Sequence, residues 1–113
     1  MNDDDFLDHA QAELEFLRSQ TVGQYRALQL PSAVDMRLIT LSKLFKEATR
    51  AQREVLVSAL DEPSAAILLV FVERMAMLAA RQDSAEFLLA GILALLMINH
   101  HLDMYSLLMV LSL

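Results

Sequence analysis

From the N-terminus, Leu7, Ala10, Leu14, Leu17, Thr21 and Leu28 recur at steps of three, four or seven residues. That spacing puts side chains on one face of an α-helix. A first helix is therefore expected over residues 5–28, with Asp3, Asp4 and Asp5 at its start, where the helix dipole favours negative charge. Gly23 is a point where it could kink or end early. Leu30-Pro31 stops it, because proline disfavours helical geometry in the residue before it.

Ser32 followed three residues later by Asp35 has the form of a capping arrangement for a second helix. Its stripe is Val34, Leu38, Leu41, Phe45, Ala48, Val55 and Ala59, interrupted only at Gln52. Asp61-Glu62-Pro63-Ser64 closes that helix and opens a third, with proline in the first turn. Asp83 and Glu86 form a D-x-x-E pattern that is expected to start a fourth helix. Residues 99–103 read as a final turn, with Asp103 capping a fifth. Residues 64–70, 84–90 and, more weakly, 103–109 resemble one another, as stacked helical units would. The expected fold is all-α: residues 1–113 form one domain of about five helices, in an irregular antiparallel bundle or a short helical-repeat stack.

The pattern loses its polar side toward the C-terminus. Across residues 84–113 only Glu86 and Asp103 are charged, and residues 87–98 are apolar or small without a break. A surface helix normally keeps one polar face. Two such helices exceed what three others can cover in so small a chain, so a subunit interface is expected there. Met97, Tyr105, Leu108 and Met109 are the candidate contacts, because they fall toward the end least reachable by the first two helices. The apolar pattern also runs on into Leu111-Ser112-Leu113 with no closing signal, as it would if that end packs into another subunit or belongs to a longer helical protein. The run at 87–98 is shorter than the about 20 residues that span a bilayer. His100, His101 and Asp103 separate it from the next apolar run, so no membrane association is expected.

Composition agrees with helices. Only 2 Gly and 2 Pro are present, too few for the turns of an all-β fold. The absence of cysteine removes disulfides, thiolate nucleophiles and cysteine-ligated metals. The acidic N-terminus is the wrong charge for a signal peptide, and a cytoplasmic location is expected. A net charge of −6 repels phosphate backbones, so nucleic acid is an unfavourable partner.

Candidate chemistry is sparse. His100-His101-x-Asp103 offers metal ligands, but adjacent histidines diverge on a helix, whereas ligand pairs sit three or four residues apart. It reads as an interhelical turn and a cap, and no metal or other cofactor is expected. Glu73, beside Arg74, would become a general acid only if buried, and reads as the solvent edge of its helix. Ser64, Ser84 and Ser106 sit at helix starts, where capping accounts for them. The seven methionines read as core packing before a binding groove. Lys43, Lys46, Arg50 and Arg53 follow at three, four and three residues, a basic ridge on one helical face. It reads as a solvated face, with docking of an acidic segment as the functional alternative.

These features point to a helical protein-interaction or self-association domain without catalytic activity. Its expected partner is a second copy, most simply in a dimer, or another helical protein. The alternative is an acidic regulator or inhibitor that occupies a basic protein target.

Overall fold

Side-chain caps, more than apolar stripes, decide where the helices begin. In a computed structural model, which describes residues 2–112 and only the backbone of Leu108, six helices follow in order. They are α1 (Asp3–Arg18), α2 (Val22–Arg26), α3 (Ala33–Glu47), α4 (Arg50–Ser58), α5 (Glu62–Gln82) and α6 (Ala85–Leu111). The all-α expectation holds, and no strand occurs among the described residues.

Each of the two long helices expected in the first half is broken in two, both times at T-x-x-Q. Thr21 accepts a hydrogen bond from the Gln24 backbone N–H and starts α2, so the helix expected over 5–28 ends at Arg18. Thr49 accepts from the Gln52 N–H at 3.2 Å, while the Gln52 side chain accepts from the Thr49 N–H at 2.9 Å. This reciprocal capping box satisfies two otherwise orphaned donors and starts α4. Gln52, the apparent gap in the stripe, is the third residue of a new helix. It is buried, and its Nε2 donates to Asp3 at the start of α1. The buried stripe of α1 is Phe6, Ala10, Leu14 and Leu17, whereas Leu7 and Leu28 are exposed.

Asp61 caps α5 as expected, accepting from the Ser64 N–H at 2.9 Å. Asp83 does not open the next helix. It closes α5 in a left-handed conformation (φ 48°) and donates its N–H to Ala79, a geometry that aspartate tolerates better than most residues. The expected turn at 99–103 is absent. α6 runs through it for 27 residues, about 40 Å at 1.5 Å per residue. With no separate fifth helix at 103, the repeat reading loses its third unit.

α5 and α6 form an antiparallel hairpin. The other helices pack around it, with α1, α2 and α3 against α5 and with α3 and α4 against α6. One core joins all six, with Leu17, Tyr25, Leu41, Leu56, Phe71 and Met97 among its fully buried side chains. At the hairpin contact a Cβ on Gly91 would lie 3.3 Å from the Met75 Cβ, so glycine lets the two helices approach closely.

One buried ion pair ties the core together. Arg74 of α5 donates from Nε to Asp35 Oδ1 (2.9 Å) and from Nη2 to Asp35 Oδ2 (2.8 Å), with the two side chains 5% and 0% exposed. Its remaining donors reach the Leu28 and Gln29 carbonyls, and the guanidinium lies over the Tyr25 ring. Asp35 also accepts from the Tyr25 hydroxyl and from the Ser32 N–H and hydroxyl, completing the α3 capping box. Burial pushes the Asp35 carboxyl up, but the Arg74, Tyr25 and Ser32 donors outweigh it and hold it below the usual carboxylate range. Burial and the neighbouring carboxylate push the Tyr25 hydroxyl up.

Removing one partner of such a pair strands a buried charge. Arg74→Met is therefore expected to cost about 3–5 kcal/mol in denaturant unfolding followed by circular dichroism. The pH dependence has a definite sign. Because the folded Asp35 carboxyl is depressed, its contribution is complete above about pH 4. It is lost progressively as pH falls toward the folded value, where the unfolded chain takes up the proton first. Asp35→Asn should lack that part of the acid dependence in unfolding curves measured across pH. At the hairpin, Gly91→Leu should destabilise by about 1–3 kcal/mol through overpacking against Met75, read by the same unfolding assay.

Candidate functional site

The Asp35–Arg74–Tyr25 cluster is the most concentrated polar chemistry in the chain, yet it has no face open to a ligand. Tyr25 and Asp35 are fully buried, and Arg74 is nearly so. The carboxylate oxygens and the guanidinium donors are engaged within the chain. The cluster is a structural tie. The positions expected of Glu73 and Arg74 divide cleanly: Glu73 is exposed and pairs with Arg26 at 3.4 Å, while its neighbour Arg74 turns inward.

The basic ridge is not one helical face. The break at Ala48 and Thr49 leaves Lys43 and Lys46 on α3 and places Arg50 and Arg53 on α4. Lys43 pairs with Glu86 at 3.3 Å, and Arg50 with Glu54 at 3.6 Å. Arg53 turns back to donate to the Phe45 and Lys46 carbonyls at 2.8 and 2.6 Å, and it covers the Phe45 ring. It thus adds side-chain donors to carbonyls in the last turn of α3, where Phe45 also accepts from the Ala48 N–H.

Between this hinge and α6 lies an open groove of about 480 Å³, lined by Phe45, Arg50, Arg53, Leu96, Asn99, His100 and Asp103. Its two guanidinium groups are the ones already engaged within the chain, and Asp103 would oppose an anion. His101 lies on a different side of α6 and meets the Val57 carbonyl at 3.4 Å. Among the described residues no three His, Asp or Glu side chains converge as metal ligands.

The feature with no internal use is the outer face of α6. Its inner face, Phe87, Ala90, Ala94, Met97, His101 and Met104, is buried or half-buried against the rest of the chain. Opposite it, Leu88, Ile92, Leu95, Leu96 and Leu102 are 40–53% exposed, and Leu107, Val110 and Leu111 are 59–73% exposed. Counting thirteen residues along each helix from the Met75–Gly91 contact places Glu62, the first residue of α5, opposite Met104. Beyond Met104 the helix has no α5 residue beside it. Met104 is also the last described residue of α6 that is even half-buried.

The four expected interface positions separate accordingly. Met97 is wholly buried in the core and cannot contact a partner. It lies on the inner face, three residues after Ala94 and four before His101. Tyr105 and Met109 are about half exposed, on the projecting end of α6. The Leu108 side chain lies outside the described residues. The residues that sequence reasoning missed are Leu88, Ile92, Leu95 and Leu102. With the helix taken to end near 99, the two apolar runs had no common face.

Compared with known proteins, the chain matches no family model, no curated protein and no solved structure.

Proposed function

We propose that this chain is a helical association domain that pairs with a second copy through the outer face of α6 and carries no chemistry of its own. A single observation carries the reading: large apolar side chains are exposed along α6 from residue 88 to residue 111. Contiguous apolar patches of more than a few hundred Å² are uncommon on monomers and mark association sites. Closed two-fold pairing is the commonest arrangement for one chain type. Tyr105 and Met109 stay in the proposed interface, and Leu88, Ile92, Leu95 and Leu102 replace Met97. A cytoplasmic setting belongs to the same reading.

A bilayer is the competing cover for so apolar a helix, since both α5 and α6 are long and apolar enough to cross one. Two features favour protein. Asn99, His100, His101 and Asp103 fall midway along α6, where a bilayer interior charges about 2.5–3.5 kcal/mol for an aspartate. The inner face is also already occupied by this chain's own core. The acidic-regulator alternative rests on Asp4, Asp5, Asp8 and Glu15, which α1 exposes together. Binding of that kind weakens steeply with salt, because exposed charges are screened within about 10 Å at 0.1 M.

Light scattering across a dilution series is the direct test. The chain should be a dimer at micromolar concentration, and Leu95→Glu or Leu102→Glu should weaken pairing about a hundredfold or more, as truncation of a central anchor does. Both positions are 40% or more exposed, so the helical circular dichroism of the monomer should be unchanged. A monomer at all concentrations, or flotation of the native chain with phosphatidylcholine vesicles, would overturn the proposal.

A further inference from the structure

The exposed face of α6 is not an even apolar surface. Leu88, Leu95, Leu102 and Met109 repeat every seven residues, and Ile92, Asn99 and Ser106 alternate with them at steps of four and three. All seven are exposed. Such a seam over three heptads is the signature of a helix that winds around another. It is set roughly 140° around the helix from the inner face at 100° per residue, so a partner helix can reach it without displacing α5. The core uses a second heptad of its own through Ala90, Ala94, Met97 and Met104. One helix therefore serves two interfaces.

From this seam we propose that two copies pair through α6 as a parallel, in-register coiled coil whose register is set by Asn99. This rests on the self-association reading and specifies its geometry. The d positions are Leu88, Leu95, Leu102 and Met109, and the a positions are Ile92, Asn99 and Ser106. Leucine at d with a β-branched residue at a favours two parallel strands, and an asparagine at a fixes register and strand number. In register, Asn99 lies beside its own copy, and each amide offers a donor and an acceptor to the other. In an antiparallel pair a faces d, so Asn99 would lie against Leu102 of the copy and lose both to a leucine. A parallel pair also sets the two projecting ends beyond Met104 side by side.

The chain also exposes more surface than a compact monomer of its mass. The chain exposes 6835 Å² at 12.7 kDa, where a compact monomer of that mass exposes about 6,200 Å². The excess, about 600 Å², is what a helix with an uncovered apolar arc and a projecting end adds to the surface.

The chain has no cysteine, so one introduced thiol reports on orientation. Full-length Ser106→Cys, oxidised with glutathione disulfide at a concentration where light scattering finds the dimer, should form a covalent dimer with itself. Adding Leu95→Glu should abolish that product. An equimolar mixture of Ser106→Cys and Leu95→Cys should yield no mixed disulfide. Asn99→Ile should broaden the assembly from dimers to larger species in light scattering. A dimer in which Ser106→Cys fails to cross-link to itself, or prefers Leu95→Cys, would overturn the parallel register while leaving self-association standing. Absence of any dimer would overturn both.

Discussion

The guanidinium of Arg74 is the point at which four segments meet. It grips Asp35 at the start of α3, lies over Tyr25 of α2, and donates to the carbonyls of Leu28 and Gln29 in the connecting turn. The turn from α2 to α3 turns the Leu28 and Gln29 carbonyls toward α5, and a guanidinium is the side chain with enough donors to meet both while pairing with Asp35. Asp35 then has two duties, neutralising that cation and capping α3, and the donors it gains from Arg74, Tyr25 and Ser32 outweigh the upward push of burial on its carboxyl. Ion pairs of this kind add little net stability over an apolar replacement, but they are intolerant of losing one member. Here the pair sets where α2 and α3 sit on α5.

With α5 held on that side by the tie, α6 covers another of its faces. The hairpin contact at Gly91 brings the two helices close, and α3 and α4 flank α6 on a second side. That leaves one arc of α6 uncovered, and beyond Met104 the helix has no α5 residue alongside. The apolar excess thus has two sources: the outer arc of α6 that faces away from α5, and the end beyond Met104, since α6 has 27 residues against 21 in α5. The heptad on the uncovered arc is what the proposed pairing with a second copy rests on.

Much of the fold was legible along the chain, because capping and the helical period act locally. Ser32 and Asp35, and Asp61 with Pro63, begin helices as their types require. The T-x-x-Q signals at Thr21 and Thr49 were equally present, but a continuing apolar stripe masked them. A stripe shows which residues share a face, and it runs on unchanged when two short helices follow one another. The split of the basic ridge has the same cause, since its two halves lie on either side of the Thr49 cap. The buried arginine also left a trace. Arg74 lies three residues after Phe71 and four before Leu78 on the inward stripe of α5, a place where a charge needs a buried counter-ion.

The amino-acid sequence by itself determined the helical class, most of the caps and the presence of more apolar surface near the C-terminus than the chain could cover. Each is set by residue type and spacing within a few turns. Only the tertiary structure decided which apolar residues stay exposed. Met97 and Leu95 are chemically alike and two residues apart, yet one is fully buried and the other 40% exposed. The difference is the side of α6 that α5 occupies. That side is chosen by the Gly91 approach and by packing against α3 and α4. The continuity of α6 through the histidines is likewise a tertiary outcome. His101 is half-buried against α4, at the Val57 carbonyl, so a stretch that reads as a turn in isolation is held helical by its neighbours.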